Sequence, residues 1–81
     1  MARVTVIVHD ITGRVYDIET PLDIPVSDFI KGLHVGLNHA GEPPRALRSE
    51  NPTAFLTGEA LLSMFGLREG SDIYFYGDDR A

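Results

Sequence analysis

Residues 16–37 read YDIETPLDIPVSDFIKGLHVGL, and this stretch predicts one extended strand, a proline-bounded corner and one amphipathic helix. Its apolar side chains recur at i, i+3, i+4, i+7 and i+11, the spacing of a single helical stripe: Val26, Phe29, Ile30, Leu33 and Leu37. A helix with one apolar stripe needs an apolar surface to cover that stripe. We therefore expect the rest of the chain to supply a sheet.

The segment before the helix predicts a hairpin. Residues 3–10 alternate as a strand, with a valine at every second position on one face. Residues 10–13 form a short turn in which Gly13 can take a positive φ without steric cost. Residues 15–20 then resume as a second strand, and Pro25 is expected in the first turn of the helix.

The segment after the helix predicts three short strands and a helical turn. Two strands are expected at residues 45–48 and 53–56, separated by turn chemistry at residues 49–52. Apolar residues crowd positions 61–67, which indicates a 3₁₀ or short α turn. The last strand is expected at residues 71–76.

Gly32 and Gly36 lie four residues apart within the helix and flank its apolar stripe. Since glycine weakens a helix relative to alanine, a close approach of another backbone is one explanation for their presence.

These patterns together predict an α+β fold with a four- to five-stranded mixed sheet packed on one main helix. The expected core is the set of inward-facing apolar residues: Val4, Val6, Val8, Tyr16, Ile18, Val26, Phe29, Ile30, Leu33, Leu56, Leu62, Phe65, Leu67, Ile73 and Phe75.

Length and composition limit the function classes. The 81 residues are enough for one domain, expected at residues 3–77 with a short tail at residues 78–81. The net charge of −5 and scattered arginines argue against nucleic-acid binding, which needs several cations on one face. No apolar run is long enough for a membrane span, and the lack of cysteine fits a cytoplasmic protein.

The titratable residues do not form a recognisable catalytic or metal-binding pattern. His34 and His39 are five residues apart, off the i, i+4 spacing that places two ligands on one helical face, and His9 is expected on an outer strand face. We therefore expect surface histidines without a metal role, no cofactor and no enzyme activity. No Ser-His-Asp or phosphate-cradling glycine pattern is present.

The order of elements resembles the ubiquitin-like β-grasp fold over nearly the whole chain. The residues that carry the resemblance are the turn at 10–13, the helix positions Val26, Phe29 and Leu33, the pair Pro43-Pro44, the run 62–67, and Ile73 with Phe75. The resemblance implies left-handed backbone at Gly66 and Gly70.

A narrower resemblance rests on Tyr16-Asp17-Ile18, the segment PLDIPV at residues 21–26, and Phe29-Ile30. These residues are similar to the YukD/EsaB group, the small cytosolic ubiquitin-like proteins associated with bacterial type VII secretion. The resemblance implies a non-catalytic accessory that binds a secretion-system protein.

The alternative function is a ubiquitin-like modifier or sulfur carrier activated at its C-terminus. Such proteins act through a terminal Gly-Gly carboxylate, whereas residues 77–81 read GDDRA. We therefore expect the binding module rather than the modifier, unless a longer precursor carries the glycines.

The candidate protein-binding residues are those apolar side chains that strand alternation sends outward. Tyr74 and Tyr76 face away from the helix if Ile73 and Phe75 face it. Ile7 and Ile11 are expected on the same side, and Ile11 and the two tyrosines fall near the apolar patch that the ubiquitin resemblance implies. Two interpretations remain open, since exposed tyrosines can bind a partner or merely pack across neighbouring strands.

Overall fold

The computed structural model describes residues 3–75. Along the chain the elements are β1 (Arg3–Asp10), β2 (Val15–Pro21), α1 (Val26–Gly36), β3 (Ala46–Glu50), β4 (Ala54–Thr57), a short 3₁₀ helix (Leu62–Phe65) and β5 (Asp72–Phe75). Their order is the predicted one. Tyr76 and the predicted tail at residues 78–81 lie outside the described residues.

Within residues 3–75 the strands form one mixed sheet of five strands in the order β2-β1-β5-β3-β4. The β1–β2 and β3–β4 pairs are antiparallel hairpins. β5 lies between the hairpins, parallel to β1 and antiparallel to β3. The first and last strands are therefore neighbours at the centre of the sheet, and β2 and β4 are its edges.

The core lies between one face of the sheet and the apolar stripe of α1. Its buried apolar residues are Val6, Val8, Val26, Phe29, Ile30, Leu33, Leu47, Leu56, Leu62, Leu67, Ile73 and Phe75. Four other predicted core residues, Val4, Tyr16, Ile18 and Phe65, are partly buried and pack against this cluster. Leu47 was not predicted, because β3 is short and polar residues surround Leu47 in the sequence.

The helix begins and ends close to the predicted positions. Pro25 precedes α1 as its N-cap rather than lying in its first turn. The backbone N–H groups of Val26 and Ser27 donate to the carbonyls of Ala60 and Gly58, so the loop after β4 satisfies the start of the helix. Asn38 follows the C-cap with φ 60°, the left-handed conformation expected there.

The two helix glycines do not mark a close approach of another backbone. A Cβ added at Gly32 or Gly36 would meet no atom within 4 Å outside the helix backbone. The sequence-based explanation is therefore wrong, and both positions border open space. By contrast, Gly66 and Gly70 have φ 78° and 83°, as the ubiquitin-like resemblance implied.

Two buried serines hold the turn between β3 and β4. The Ser49 hydroxyl donates to the carbonyl of Pro52 at 2.8 Å. The Ser71 hydroxyl donates to the carbonyl of Asn51 at 2.8 Å and accepts the Arg68 N–H at 2.9 Å. Because Ser49 and Glu50 still belong to β3, the turn begins later than the sequence pattern predicted.

Candidate protein-binding face

One side of the sheet faces α1, and the other, here called the open face, has no element packed on it among residues 3–75. The open face consists of the side chains that alternate with the buried ones, and their exposure ranges from half-buried to exposed. They include Thr5, Ile7, His9, Val15, Asp17, Glu19, Arg48, Glu50, Phe55, Asp72 and Tyr74.

A single row of these side chains crosses all five strands. The strand register pairs Val15 with His9 and His9 with Tyr74. It pairs Tyr74 in turn with Arg48, and Arg48 with Phe55. These five residues are called the transverse row below. Because they belong to one face and adjacent register positions, their side chains are neighbours on the surface.

Stacking contacts organise the middle of the transverse row. The rings of His9 and Tyr74 are stacked, with centroids 4.7 Å apart and planes 13° apart. The guanidinium carbon of Arg48 lies 4.6 Å from the centroid of the same tyrosine ring, a cation–π distance. Tyr74 thus contacts a neighbour on each adjacent strand.

Carboxylates hold the two nitrogen-bearing side chains of this stack. His9 Nε2 lies 2.9 Å from Asp72 Oδ1. Arg48 donates from a terminal guanidinium nitrogen to Glu50 Oε2 at 2.7 Å. Asp72 lies two residues before Tyr74 on β5, and Glu50 lies two residues after Arg48 on β3. The stack is therefore held in place by residues of its own sheet face. Pre-ordered aromatic and arginine side chains are the residue types enriched at protein–protein contacts.

Exposed apolar side chains lie at the two ends of the row. Val15 is 56% exposed on β2 and Phe55 is 66% exposed on β4. Sequence reasoning did not select either residue. The signal for Phe55 was present, because Leu56 faces inward and alternation then sends Phe55 outward.

The structure places three of the four predicted binding residues. Tyr74 is half-buried on the open face, and Ile7 lies on the same face of β1, in register with Asp17 and Asp72. Ile11 is 64% exposed in the β1–β2 turn. Tyr76 lies outside the described residues.

The histidines are less exposed than the sequence suggested, and each has a partner. His9 contacts Asp72 on the open face, and His34 Nε2 lies 2.9 Å from the carbonyl oxygen of Gly41. His39 Nε2 lies 2.6 Å from Asp10 Oδ1, and its ring packs against Phe75 with centroids 4.9 Å apart. All three side chains are thus partly buried and have a polar partner, and His9 lies on the outer strand face, as expected.

The carboxylate that His39 contacts is that of Asp10, which is buried. Burial by itself raises the pKa of Asp10. Hydrogen bonds from Thr12 and His39, the electrostatic effect of His39 and the N–H of Ile11 outweigh burial and hold that pKa below its ordinary value. The Asp10–His39 contact ties the loop after α1 to the β1–β2 turn.

The described part of the chain, residues 3–75, holds no group of three or more His, Cys, Asp or Glu side chains placed to bind a metal ion. Within the same residues, no helix has the length and apolar character required to cross a membrane.

Comparisons with known proteins give structural matches alone. No protein-family model matches the sequence, and no curated protein matches it. Among solved structures, the ubiquitin-like (UBL) domain of Plasmodium falciparum Dsk2 has a TM-score of 0.68 at 19% identity, covering 95% of this chain and 100% of that one. A protein designed on the basis of ubiquitin has a TM-score of 0.67 at 15% identity, covering 89% of this chain and 84% of that one.

A third match is a chain of the pParkin–pUb–UbcH7 complex, with a TM-score of 0.68 at 11% identity. It covers 89% of this chain but 22% of that longer chain. At such identities the likeness concerns the fold alone. The described residues contain a five-stranded mixed sheet, one α-helix and a 3₁₀ turn. Together with these matches they confirm the predicted class: the chain has a ubiquitin-like β-grasp fold.

Proposed function

We propose that this protein is a non-catalytic binding module that acts as a cytosolic accessory of a bacterial type VII-like secretion system. Its open sheet face docks onto a larger component of that system. The observation that carries the proposal is the transverse row, where a tyrosine, an arginine and a histidine are held in contact between two exposed apolar ends.

The physical argument concerns pre-organisation. A side chain that is ordered before binding loses less conformational entropy when the partner arrives. Tyr74 contacts His9 and Arg48, and both of those are held by carboxylates. A partner surface with apolar groups can cover Val15 and Phe55 while polar groups meet the ordered centre.

The secretion part of the proposal is supported by the corner between β2 and α1. Residues 21–26 carry the sequence PLDIPV that is similar to the YukD/EsaB group. In the fold this corner is fastened to the 3₁₀ helix, because the N–H groups of Leu62 and Ser63 donate to the carbonyls of Ile24 and Leu22. The resemblance therefore falls on a segment that sets how the helix meets the sheet.

The test is affinity capture of defined components. The tagged protein is co-expressed with the cytosolic domains of a type VII secretion ATPase and of the system's membrane channel component. The open-face variants are Arg48→Ser and Phe55→Ser, and the matched control is Val35→Ser, which removes a 77% exposed apolar side chain from the helix. We expect each open-face variant to weaken capture about tenfold, with the control unchanged.

Two results would contradict the proposal. Failure of the unmodified protein to capture any component of the system would exclude the secretion role. Capture that is lost with Val35→Ser and retained with both open-face variants would assign binding to the helix side.

A further inference from the structure

A second surface, separate from the open face, lies where the edge strand β2 meets α1. A groove of about 270 Å³ runs between them. Half-buried apolar residues Ile18, Ile24 and Leu37 line it, together with Gly32 and Gly36 of the helix. Because an added Cβ at either glycine meets nothing outside the helix backbone, the glycines keep this groove open.

The backbone beside the groove has hydrogen-bonding groups directed away from the sheet. In β1, the N–H of Ile7 donates to Ser71 and the carbonyl of Thr5 accepts from Gly70, so the odd-numbered residues of β1 bond toward β5. The even-numbered residues of β1 consequently bond to the even-numbered residues of β2.

It follows that Val15, Asp17 and Glu19 direct their backbone N–H and C=O groups to the free edge of β2. β2 has no second strand neighbour among the described residues. Such an edge is a template for one more strand.

The geometry points to one kind of occupant. We propose that the groove binds an extended peptide segment of a partner protein, which adds a strand to the free edge of β2. Residues of that peptide opposite Tyr16, Ile18 and Thr20 direct their side chains into the groove, because these three residues face α1. A helix would leave the β2 edge groups without partners, whereas a strand pairs with them.

Charge defines the sequence of that peptide. Glu19 and Asp28 line the groove, and no lysine or arginine among residues 3–75 does, although Arg3 lies 3.4 Å from one Glu19 oxygen. Asp17, which lies two residues before Glu19 on β2, adds a third carboxylate. A segment with alternate aliphatic residues and flanking lysines or arginines is complementary to this rim. A second copy of β2 is not, since pairing two such edges brings the acidic residues of both strands together.

The probe is the synthetic peptide Lys-Lys-Val-Thr-Val-Thr-Val-Lys-Lys, titrated into isotopically labelled protein and followed by amide NMR shifts. We expect the largest shifts at Val15, Asp17, Glu19, Gly32 and Gly36. The comparison peptides replace the four lysines with glutamates, or replace the central valine and the threonine before it with prolines. The first should bind at least about tenfold more weakly because of the acidic rim. The second should also bind more weakly, because one of the two lost N–H groups faces β2 whether the peptide lies parallel or antiparallel to it.

Protein variants separate the groove from its surroundings. Gly32→Leu fills the groove and should weaken peptide binding about tenfold or more, whereas Val35→Leu adds bulk on a helix position outside the groove and should not. Asp17→Pro removes an N–H that the sheet does not use, and it should weaken binding more than Asp17→Asn does. Phe55→Ser, on the open face, should leave peptide affinity unchanged.

The inference is overturned by any of three results in correctly folded protein. These are an absence of amide shifts at millimolar peptide, shifts confined to the open-face residues of β1, β3, β4 and β5, or equal binding to the unmodified protein and to Gly32→Leu. Retained secretion-component capture alongside a failed peptide titration would remove the groove proposal and leave the proposed function standing.

Discussion

The ring of His9 lies stacked on the ring of Tyr74, with centroids 4.7 Å apart, across the parallel pair of β1 and β5. The contact joins the first and last strands on the surface of the sheet, while Val8 and Ile73 join them in the core. Packing and binding are therefore not exclusive roles for Tyr74. Its neighbours hold it in one place, and its half-exposed surface remains available to a partner.

Replacing Tyr74 with serine tests both roles at once. We expect partner capture to weaken by roughly thirtyfold, since a tyrosine at a contact centre can carry about 2 kcal/mol. Loss of the stacking and cation–π contacts should also lower the free energy of unfolding, by about 1–2 kcal/mol. Capture and urea unfolding are measured on the same preparation.

His9→Ala is the matched variant for that experiment. It removes the stacking partner and leaves Tyr74 in place, so it should lower stability with a smaller effect on capture. Unchanged capture by Tyr74→Ser, combined with a large fall in melting temperature, would assign the tyrosine to packing alone.

Phe29→Ala tests the helix–sheet core. Phe29 is 4% exposed in the apolar stripe of α1, and its truncation should cost about 3–5 kcal/mol through lost transfer energy and a residual cavity. The measurement is the urea midpoint. Val35→Ala, at a position 77% exposed on the same helix, should change stability by less than about 0.5 kcal/mol. Similar midpoints for the two variants would mean that the stripe does not carry the core.

Replacing glycine with alanine should change the free energy of unfolding in opposite directions at two positions. Gly32 has ordinary helical backbone and open space around it, so Gly32→Ala should stabilise the protein by about 1 kcal/mol. Gly66 has φ 78°, and Gly66→Ala should destabilise it by about 1–2 kcal/mol because of the left-handed conformation. Thermal unfolding checks both. A destabilised Gly32→Ala would indicate that the groove is closed in solution.

Asp10 should make stability depend on pH in the acid range. Its pKa is lower in the folded protein than in the unfolded chain, so the native state binds fewer protons. The stabilisation is therefore complete above the unfolded value of about 3.9 and is lost as pH falls through the lower folded value.

The measurement is urea unfolding between pH 6 and pH 2 for the parent protein and Asp10→Asn. The variant should be less stable at pH 6 and should lose less stability on acidification. Parallel pH profiles would show that another carboxylate causes the acid sensitivity.

Local periodicity was sufficient to predict the helix stripe and the inward faces of β1 and β5. It identifies which residues share a face, and Val6, Val8, Ile73 and Phe75 are indeed buried. It does not identify contacts between residues far apart in the sequence. The Asp10–His39 and Ser71–Asn51 hydrogen bonds depend on how the turns meet, which no local pattern encodes.

For the candidate surfaces too, local sequence pattern predicted which face a residue lies on but not which distant residues meet there. Alternation placed Ile7 and Tyr74 on the open face, and it could have placed Phe55 there. The transverse row needed the strand order, because its members come from five separate segments. The groove could not be predicted from the sequence either. Two helix glycines fit a close contact and an open space equally well, and only the structure shows that Gly32 and Gly36 border open space.

The central position of β5 also affects how the protein folds during synthesis. The β1–β2 and β3–β4 hairpins leave the ribosome before β5, and β5 is the strand that pairs with both. Until it emerges, neither hairpin has its central neighbour, and the fully buried Ile73 and Phe75 are missing from the core. Cooperative folding therefore waits for the last strand, and the nascent chain presents the apolar faces of two incomplete half-sheets to chaperones until then.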